Sequence, residues 1–116
     1  MEIKIVKDSI NKKELIDIAK GQFGDLVKAV VDVGQRIMAV GGEMHADEEV
    51  ILMEQEGSKR EHTWGINLYP EKSGEELIEF DSIINIKPSY GNRSRDVGNP
   101  ETREEIKMIV NKLIVE

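Results

Sequence analysis

The sequence predicts one α+β domain over residues 1–116, with three helices against a mainly antiparallel sheet in the order β-α-β-β-α-β-β-α. Three observations support this fold class. Short β-branched segments alternate with segments whose apolar residues repeat at helical spacing. Two asparagines, Asn11 and Asn99, stand directly before helical patterns, as N-caps do. No repeat, low-complexity tract or linker interrupts the chain, whose length suits a single core.

The first two predicted elements are a strand at 2–6 and a helix that begins after Asn11. The segment EIKIV alternates and is rich in β-branched residues, which is typical of a strand. Asn11 can cap the helix, and Glu14 follows three residues later, as in a capping box. We expect the helix to end at Gly21 or Gly24.

Strands at 26–33 and 36–40 are predicted to form a hairpin around Gly34-Gln35. A two-residue loop with glycine first suits a type II′ turn. The alternative is one long helix, because apolar residues are dense here. Valine and isoleucine favour the strands, and the central glycine disfavours the helix.

The segment after Gly41-Gly42 is predicted to be a helix that ends at Gly57. Acidic residues at its front complement the helix dipole, and a terminal glycine is a common stop. The four apolar residues at 50–53 would also suit a buried strand, so both alternatives stay open for them.

Two further strands are predicted at 62–70 and 76–88, each ending at a proline. The final helix is the clearest element, because Asn99 can cap it and Pro100 suits its first turn. Its apolar stripe consists of Ile106, Ile109, Val110 and Leu113. The polar segment at 89–99 has no predicted element.

Composition and charge exclude several classes of protein. Cysteine is absent, so disulfides, thiolate metal sites and cysteine nucleophiles are excluded. The net charge of −7 argues against broad nucleic-acid binding. No run approaches the roughly 20 apolar residues of a membrane span, and the first ten residues lack the apolar core of a signal peptide. We therefore expect a cytoplasmic protein. Abundant Glu, Lys and Ile is typical of thermophiles.

Three motifs follow one another along the chain: GGEMHADEE at 41–49, WGINLYP at 64–70 and INIKPSYGNRS at 84–94. Together they resemble a family of short bacterial and archaeal proteins grouped as a domain of unknown function. Its pattern is G-G-E-x-H-A-D-x-E, then W-G-x-N-x-x-P, then I-N-I-R-P-x-x-x-N-R-S. Lys87 stands where the pattern has arginine, which keeps the charge but loses the planar fork. The resemblance implies a single domain but no activity or cofactor.

His45 is the first candidate for chemistry, as a metal ligand or a general acid–base. Glu48 and Glu49 follow three and four residues later, so the three side chains share one side of a helix. Imidazole and carboxylates suit zinc, manganese or iron, with His62 or Glu43 as a third ligand. No established zinc motif is present. The structural alternative is that the acidic residues complement the helix dipole while His45 packs or caps.

Arg93 and Arg95 are the candidates for binding an anion. With Asn92 and Ser94 they form a loop that offers guanidinium forks and smaller polar donors. Such a loop could hold a small anionic ligand or an acidic segment of a protein partner. The alternative is that the arginines pair with surface carboxylates. Trp64, the only tryptophan, either packs in the core or faces a ligand or partner.

The favoured function is a binding or interaction module, expected to form a homo-oligomer, that uses Arg93 and Arg95 with Trp64 and His45 nearby. One alternative is a small hydrolase or nuclease-like enzyme acting on a phosphate-bearing substrate. In that enzyme, His45 and Glu48 would supply acid–base or metal chemistry and the arginines would stabilise the phosphoryl group. The other alternative is a purely structural oligomerisation domain. The enzyme hypothesis requires that His45, Glu48 and Arg93 meet on one concave surface.

Overall fold

A five-stranded antiparallel sheet forms the centre of the structure, a computed structural model that describes residues 2–116. In chain order the strands are β1 Lys4–Val6, β2 Ile10–Asn11, β3 Val27–Asp32, β4 Ile37–Val40, β5 Thr63–Leu68, β6 Ile78–Glu79 and β7 Ile114–Val115. The helices are α1 Lys12–Gly21, α2 His45–Glu56 and α3 Pro100–Leu113. The central sheet has the order β1-β4-β3-β5-β6, and β2 pairs with β7 in a separate parallel sheet. Apart from the two-residue strands β2 and β7, this confirms the predicted fold class and element order.

The central sheet separates two apolar layers, because alternate residues of a strand point to opposite faces. On one face, Val27, Ala29 and Val31 of β3 pack in the main core with residues of α1 and α3. On the opposite face, referred to below as the α2 face, Val30 packs with Leu52 of α2. The fold therefore has helices on both sides of one sheet.

Both predicted asparagine caps are present. Asn11 Oδ1 accepts a hydrogen bond from the Glu14 amide at 2.8 Å, and Asn99 Oδ1 accepts one from the Glu101 amide at 2.8 Å. Helix α1 ends at Gly21, one of its two predicted stops, and the four predicted stripe residues of α3 are buried. None of the helices between residues 2 and 116 is long and apolar enough to cross a membrane.

The apolar run at 50–53 lies within α2, so the helix alternative is confirmed. Gly57 ends the helix in the left-handed conformation, with φ of 67°. Its amide and that of Ser58 both donate to the Leu52 carbonyl. A strand would have buried all four apolar side chains, whereas the helix buries Leu52 and leaves its neighbours on either side partly or largely exposed.

The hairpin between β3 and β4 has a four-residue loop at 33–36, so the predicted two-residue type II′ turn is wrong. Asp32 Oδ1 accepts the amides of Gly34 and Gln35 at 2.8 and 3.1 Å. Arg36 then adopts a φ of 61° and returns the chain to β4. The carboxylate of Asp32 sets the loop by holding backbone amides, and Gly34 is not among the residues with positive φ.

The predicted strand at 76–88 is also largely wrong. Only Ile78–Glu79 pairs in the sheet, and Ile83–Asn85 forms a 3-10 turn. The Asn85 side chain accepts from the Gly65 amide at 2.8 Å and donates to the Gly65 carbonyl at 2.9 Å. Asn85 thus makes, with one side chain, the two hydrogen bonds that a further strand would have made to β5 at this point.

The segment at 89–99 is a loop organised by a buried side chain. Asn92 Nδ2 donates to the carbonyls of Asn85 and Asp96, both at 2.7 Å. Its Oδ1 accepts from the Gly98 amide at 3.0 Å. One carboxamide therefore fixes the path of this loop.

Candidate functional site

A row of polar side chains crosses the α2 face at the end where α2 begins. Lys28 of β3 is paired with Asn67 of β5, and Asn67 is paired with Glu79 of β6. Paired residues project from the same face of a sheet, so these three side chains stand side by side. His45, the first residue of α2, lies next to them because its ring contacts β5. We refer to Lys28, His45, Asn67 and Glu79 as the polar row.

Two glycines allow α2 to lie this close to the sheet. A Cβ on Gly65 would lie 2.5 Å from the Ser82 side chain and 3.2 Å from the His45 ring. A Cβ on Gly42 would lie 2.8 Å from Glu48 Cγ. The contacts of 2.5 and 2.8 Å are shorter than real Cβ atoms show, and the contact of 3.2 Å is tighter than most. Glycine at both positions therefore allows Ser82, His45 and Glu48 to lie where they do.

The His45 ring is held as a neutral imidazole. Burial lowers its pKa below the ordinary value, while the hydrogen bond from Nε2 to the Ile66 carbonyl, at 2.8 Å, opposes that shift. Lys28 adds to the lowering, and Asp81 and the neighbouring Asn67 side chain oppose it. Since Nε2 donates its hydrogen to a carbonyl, Nδ1 of the neutral ring carries the lone pair. His45 is therefore a hydrogen-bond acceptor with a fixed orientation.

Glu48 is fully buried, with 0% of its surface exposed. Burial raises the pKa of its carboxyl well above the ordinary range, against the Gly42 amide that donates to Oε2 at 2.9 Å. Oε1 has no hydrogen-bond partner within residues 2–116. In this structure the carboxylate joins α2 to the glycine turn and has no contact with solvent.

Glu48→Gln is expected to remove a pH dependence of stability. The raised pKa means that the native protein keeps a proton that the unfolded chain releases above its ordinary pKa of about 4.3. The contribution of this carboxyl to the free energy of unfolding is therefore fully present below the unfolded pKa. It is lost as the pH rises through the folded pKa. Urea unfolding between about pH 4.5 and 8.5 should show a midpoint that falls with pH in the wild type and less steeply in the variant. Exposed Glu54→Gln is the control, and parallel curves for wild type and Glu48→Gln would contradict the assignment.

The predicted metal ligands do not form a site. Glu49 Oε2 accepts from Arg60 at 2.9 Å, and His62 lies beside Gly34 in the loop between β3 and β4, at the other end of α2 from His45. Glu43 is exposed. No group of three or more His, Asp or Glu side chains placed to hold a metal ion occurs in the part of the chain from 2 to 116. The ligand set proposed from sequence was His45, Glu48, Glu49 and His62.

Two of the predicted ligand-binding residues, Trp64 and Asn92, are buried and serve the fold. Trp64 packs in the main core, with Lys87 Nζ 3.9 Å from its ring centroid. Lys87 also donates to the carbonyls of Arg60 and Thr63, and burial lowers its pKa to about 8. The carboxamide of Asn92 is engaged by backbone groups of its own loop. The Asn92 carboxamide is fully engaged in these contacts, whereas the buried Trp64 Nε1 has no hydrogen-bond partner between residues 2 and 116.

The two predicted arginines differ in their positions. Arg95 Nε donates to Asp81 Oδ1 at 2.6 Å, and Asp81 is near enough to His45 to act on its charge. Arg95 is therefore on the His45 side of the molecule, and its guanidinium is paired with the Asp81 carboxylate. Arg93 is exposed and makes no ion pair with residues 2–116. His45, Glu48 and Arg93 do not share one accessible surface, because Glu48 has none.

Asn67 is one of four residues between 2 and 116 that have a buried polar side-chain atom without a hydrogen-bond partner; the others are Gln22, Glu48 and Trp64. Asn67 is only 8% exposed, and its Nδ2 donates to Glu79 Oε1 at 2.8 Å. Its Oδ1 lies near the His45 ring but has no hydrogen bond of good geometry from any residue between 2 and 116. Leaving a buried acceptor unpaired costs about 1–3 kcal/mol, so the observation requires an explanation.

Sequence analysis identified His45 as a candidate, but it did not single out Lys28 or Glu79. A signal was present, because each of the missed residues interrupts an apolar segment with a charge, in VKAVV and LIEF. What the sequence does not contain is the register that places both beside Asn67.

Residues 4–113 match the model of the DUF5674 family, which is described as a protein of unknown function. The match covers almost the whole chain and confirms the resemblance drawn from the three motifs. No curated protein and no solved structure matches the chain. No activity is stated for this family.

Proposed function

The chain belongs to the DUF5674 family, and we propose that it is a binding protein that holds a small polar ligand at the polar row. The observation that carries the proposal is Asn67 Oδ1, a buried acceptor that lies beside the His45 ring and has no hydrogen bond of good geometry from any residue between 2 and 116. A ligand N–H or O–H would satisfy it. Binding sites of this kind typically place a few convergent polar groups on a rigid scaffold, and here three strands and one helix position them.

The groups around Asn67 indicate the chemistry of the ligand. Three hydrogen-bond acceptors lie here: Asn67 Oδ1, the Glu79 carboxylate and His45 Nδ1. N–H groups of a ligand would complement them. At the β3 end of the row is Lys28, whose ammonium lies 5.1 Å from the centroid of the Phe23 ring. Helix α2 begins at His45, and Met44 does not cap its first amides with a side-chain hydrogen bond. A cation and a helix N-terminus together favour a carboxylate. A small zwitterion such as a free amino acid offers both halves of this pattern.

Neighbouring carboxylates limit the charge that the ligand can carry. Glu43 and Asp47 flank the start of α2, and Asp81 acts on His45 from the other side. Like charges repel a doubly charged phosphate more strongly than a single carboxylate. Arg95 is already paired with Asp81, which weakens the case for a phosphoryl-transfer enzyme. The Arg93–Arg95 loop contributes by orienting Asp81 and not as the main anion site.

Chemical-shift mapping with free amino acids tests the proposal. In ¹⁵N-labelled protein we expect saturable shifts of the amides at 45–47 and 65–67 with an amino acid. Acetate and methylamine each carry one half of the zwitterion and should shift these amides far less. The panel should include amino acids with neutral, acidic and basic side chains, each titrated up to about 10 mM, a concentration that detects even millimolar affinity. If none of them shifts these amide signals, the proposal is wrong.

Asn67→Ala is expected to weaken amino-acid binding at least about tenfold, which is the loss of one buried hydrogen bond of about 1.4 kcal/mol. Asn111→Ala is the matched control, because Asn111 is an exposed asparagine on α3 and should leave affinity unchanged. Equal affinities in wild type and Asn67→Ala would contradict the assignment of the site. Comparing the urea midpoints of both variants separates lost binding from lost folding.

A further inference from the structure

An apolar groove of about 130 Å³ lies between α3 and the β3–β4 loop, remote from the polar row. Its floor is formed by Ile109 and Leu113, both buried, and Met108 stands at its edge with 72% of its surface exposed. The groove borders the end of β3 at which the hairpin loop begins, whereas the polar row crosses the other end on the α2 face. The two sites are therefore independent of each other.

The rim of the groove is positively charged on a protein whose net charge is −7. Lys7, Arg36 and Lys112 surround it, against the single carboxylate of Glu105. Lys7 is paired with Glu56 at 2.8 Å, away from the groove lining. Arg36 and Lys112 make no ion pair with any described residue from 2 to 116. Two cations are thus free to meet an anion at the edge of an apolar surface.

Arg36 adopts an unusual backbone conformation at this rim. It is the only non-glycine residue between 2 and 116 with positive φ, at 61°. A Cβ disfavours this region, which glycine occupies freely and asparagine tolerates. The arginine places its guanidinium at the groove although its backbone conformation is unfavourable. Residues with unfavourable backbone conformations are concentrated at functional sites.

We propose that this groove binds a small apolar carboxylate, with its hydrocarbon part on Met108, Ile109 and Leu113 and its carboxylate held by Arg36 and Lys112. An apolar cavity of about 150 Å³ holds benzene, so a groove of about 130 Å³ suits a hydrocarbon part of about five carbons. The guanidinium fork of Arg36 matches the two oxygens of a carboxylate. Glu105 beside the cations favours a ligand with one negative charge over one with two.

Titration with hexanoate, observed at the side-chain methyl groups, tests the proposal. We expect saturable shifts of the methyl signals of Met108, Ile109 and Leu113. Acetate has the charge without the chain, and hexylamine has the chain with the opposite charge, so neither should produce them below about 10 mM. Hexylamine binding as tightly as hexanoate, or no saturable shift with hexanoate, would overturn the proposal.

Arg36→Gly is the most direct variant, because glycine suits the backbone at this position and the fold should be retained. We expect hexanoate affinity to fall about tenfold. Arg93→Gly, which removes an exposed arginine from another loop, is the matched control and should bind as the wild type does. Lys112→Gln on α3 gives a second variant with no change in loop conformation. Wild-type affinity in both Arg36→Gly and Lys112→Gln would also overturn the proposal.

Discussion

Asn85→Ala is expected to destabilise the protein by about 3–5 kcal/mol, because each buried partner left unpaired costs about 1–3 kcal/mol. The Asn85 side chain is 0% exposed and makes three hydrogen bonds, two to Gly65 and one to the Arg95 carbonyl at 2.9 Å. Alanine cannot replace any of them, and the two hydrogen bonds to Gly65 are buried. A loss of this size is a large part of the roughly 5–15 kcal/mol that stabilises a domain.

Urea unfolding followed by the fluorescence of the single tryptophan, Trp64, measures this loss directly. Asn111→Ala is the matched control, because Asn111 is exposed and its replacement should change stability by less than about 0.5 kcal/mol. If Asn85→Ala costs less than about 1 kcal/mol, the three hydrogen bonds are not the fixed contacts described above.

Gly65→Ala is expected to cost about 3 kcal/mol, at the upper end for overpacking of a buried site. The added Cβ would lie 2.5 Å from both Cβ and Oγ of Ser82. Ser82 cannot simply move aside, because its amide donates to the Arg95 carbonyl and its carbonyl accepts from the Asn85 amide. The clash therefore pushes apart two segments that are tied to each other.

A double variant distinguishes this clash from a general intolerance of alanine in β5. Ser82→Gly removes the two atoms at 2.5 Å from the new Cβ and leaves the His45 ring at 3.2 Å. By itself it should cost about 1 kcal/mol because Ser82 Oγ accepts from the Ile84 amide. We expect Gly65→Ala/Ser82→Gly to be at least about 1 kcal/mol more stable than the sum of the single variants predicts. Additive losses would show that the cost of alanine at position 65 has another origin.

The helices could be predicted from the sequence because their signals are local. Asn11, Gly57 and Asn99 each act within a few residues of their own position, and the structure confirms all three. The two errors in the fold have the opposite character. The Asp32 carboxylate fixes the β3–β4 loop by accepting hydrogen bonds from backbone amides. The Asn85 side chain takes the place of the predicted strand by bonding to Gly65, twenty positions away. Alternation of apolar residues does not reveal either side-chain contact.

The candidate site shows the same division. His45 could be singled out from its chemistry, but its neighbours Lys28, Asn67 and Glu79 come from three strands whose register is decided by the whole sheet. The burial of Glu48 was equally hidden, because an acidic residue in a first helical turn is usually exposed. The expected homo-oligomer and cytoplasmic location stay predictions.

The contact of Asn85 with Gly65 also affects how molecules of this protein meet one another. β6 covers only two residues of β5, so much of the outer edge of β5 would otherwise present unpaired amides and carbonyls to solution. Exposed edges of this kind recruit strands from other copies and start aggregation. Because the Asn85 side chain occupies the amide and carbonyl of Gly65, we expect it to hinder strands of other copies from pairing there as well as to stabilise the fold.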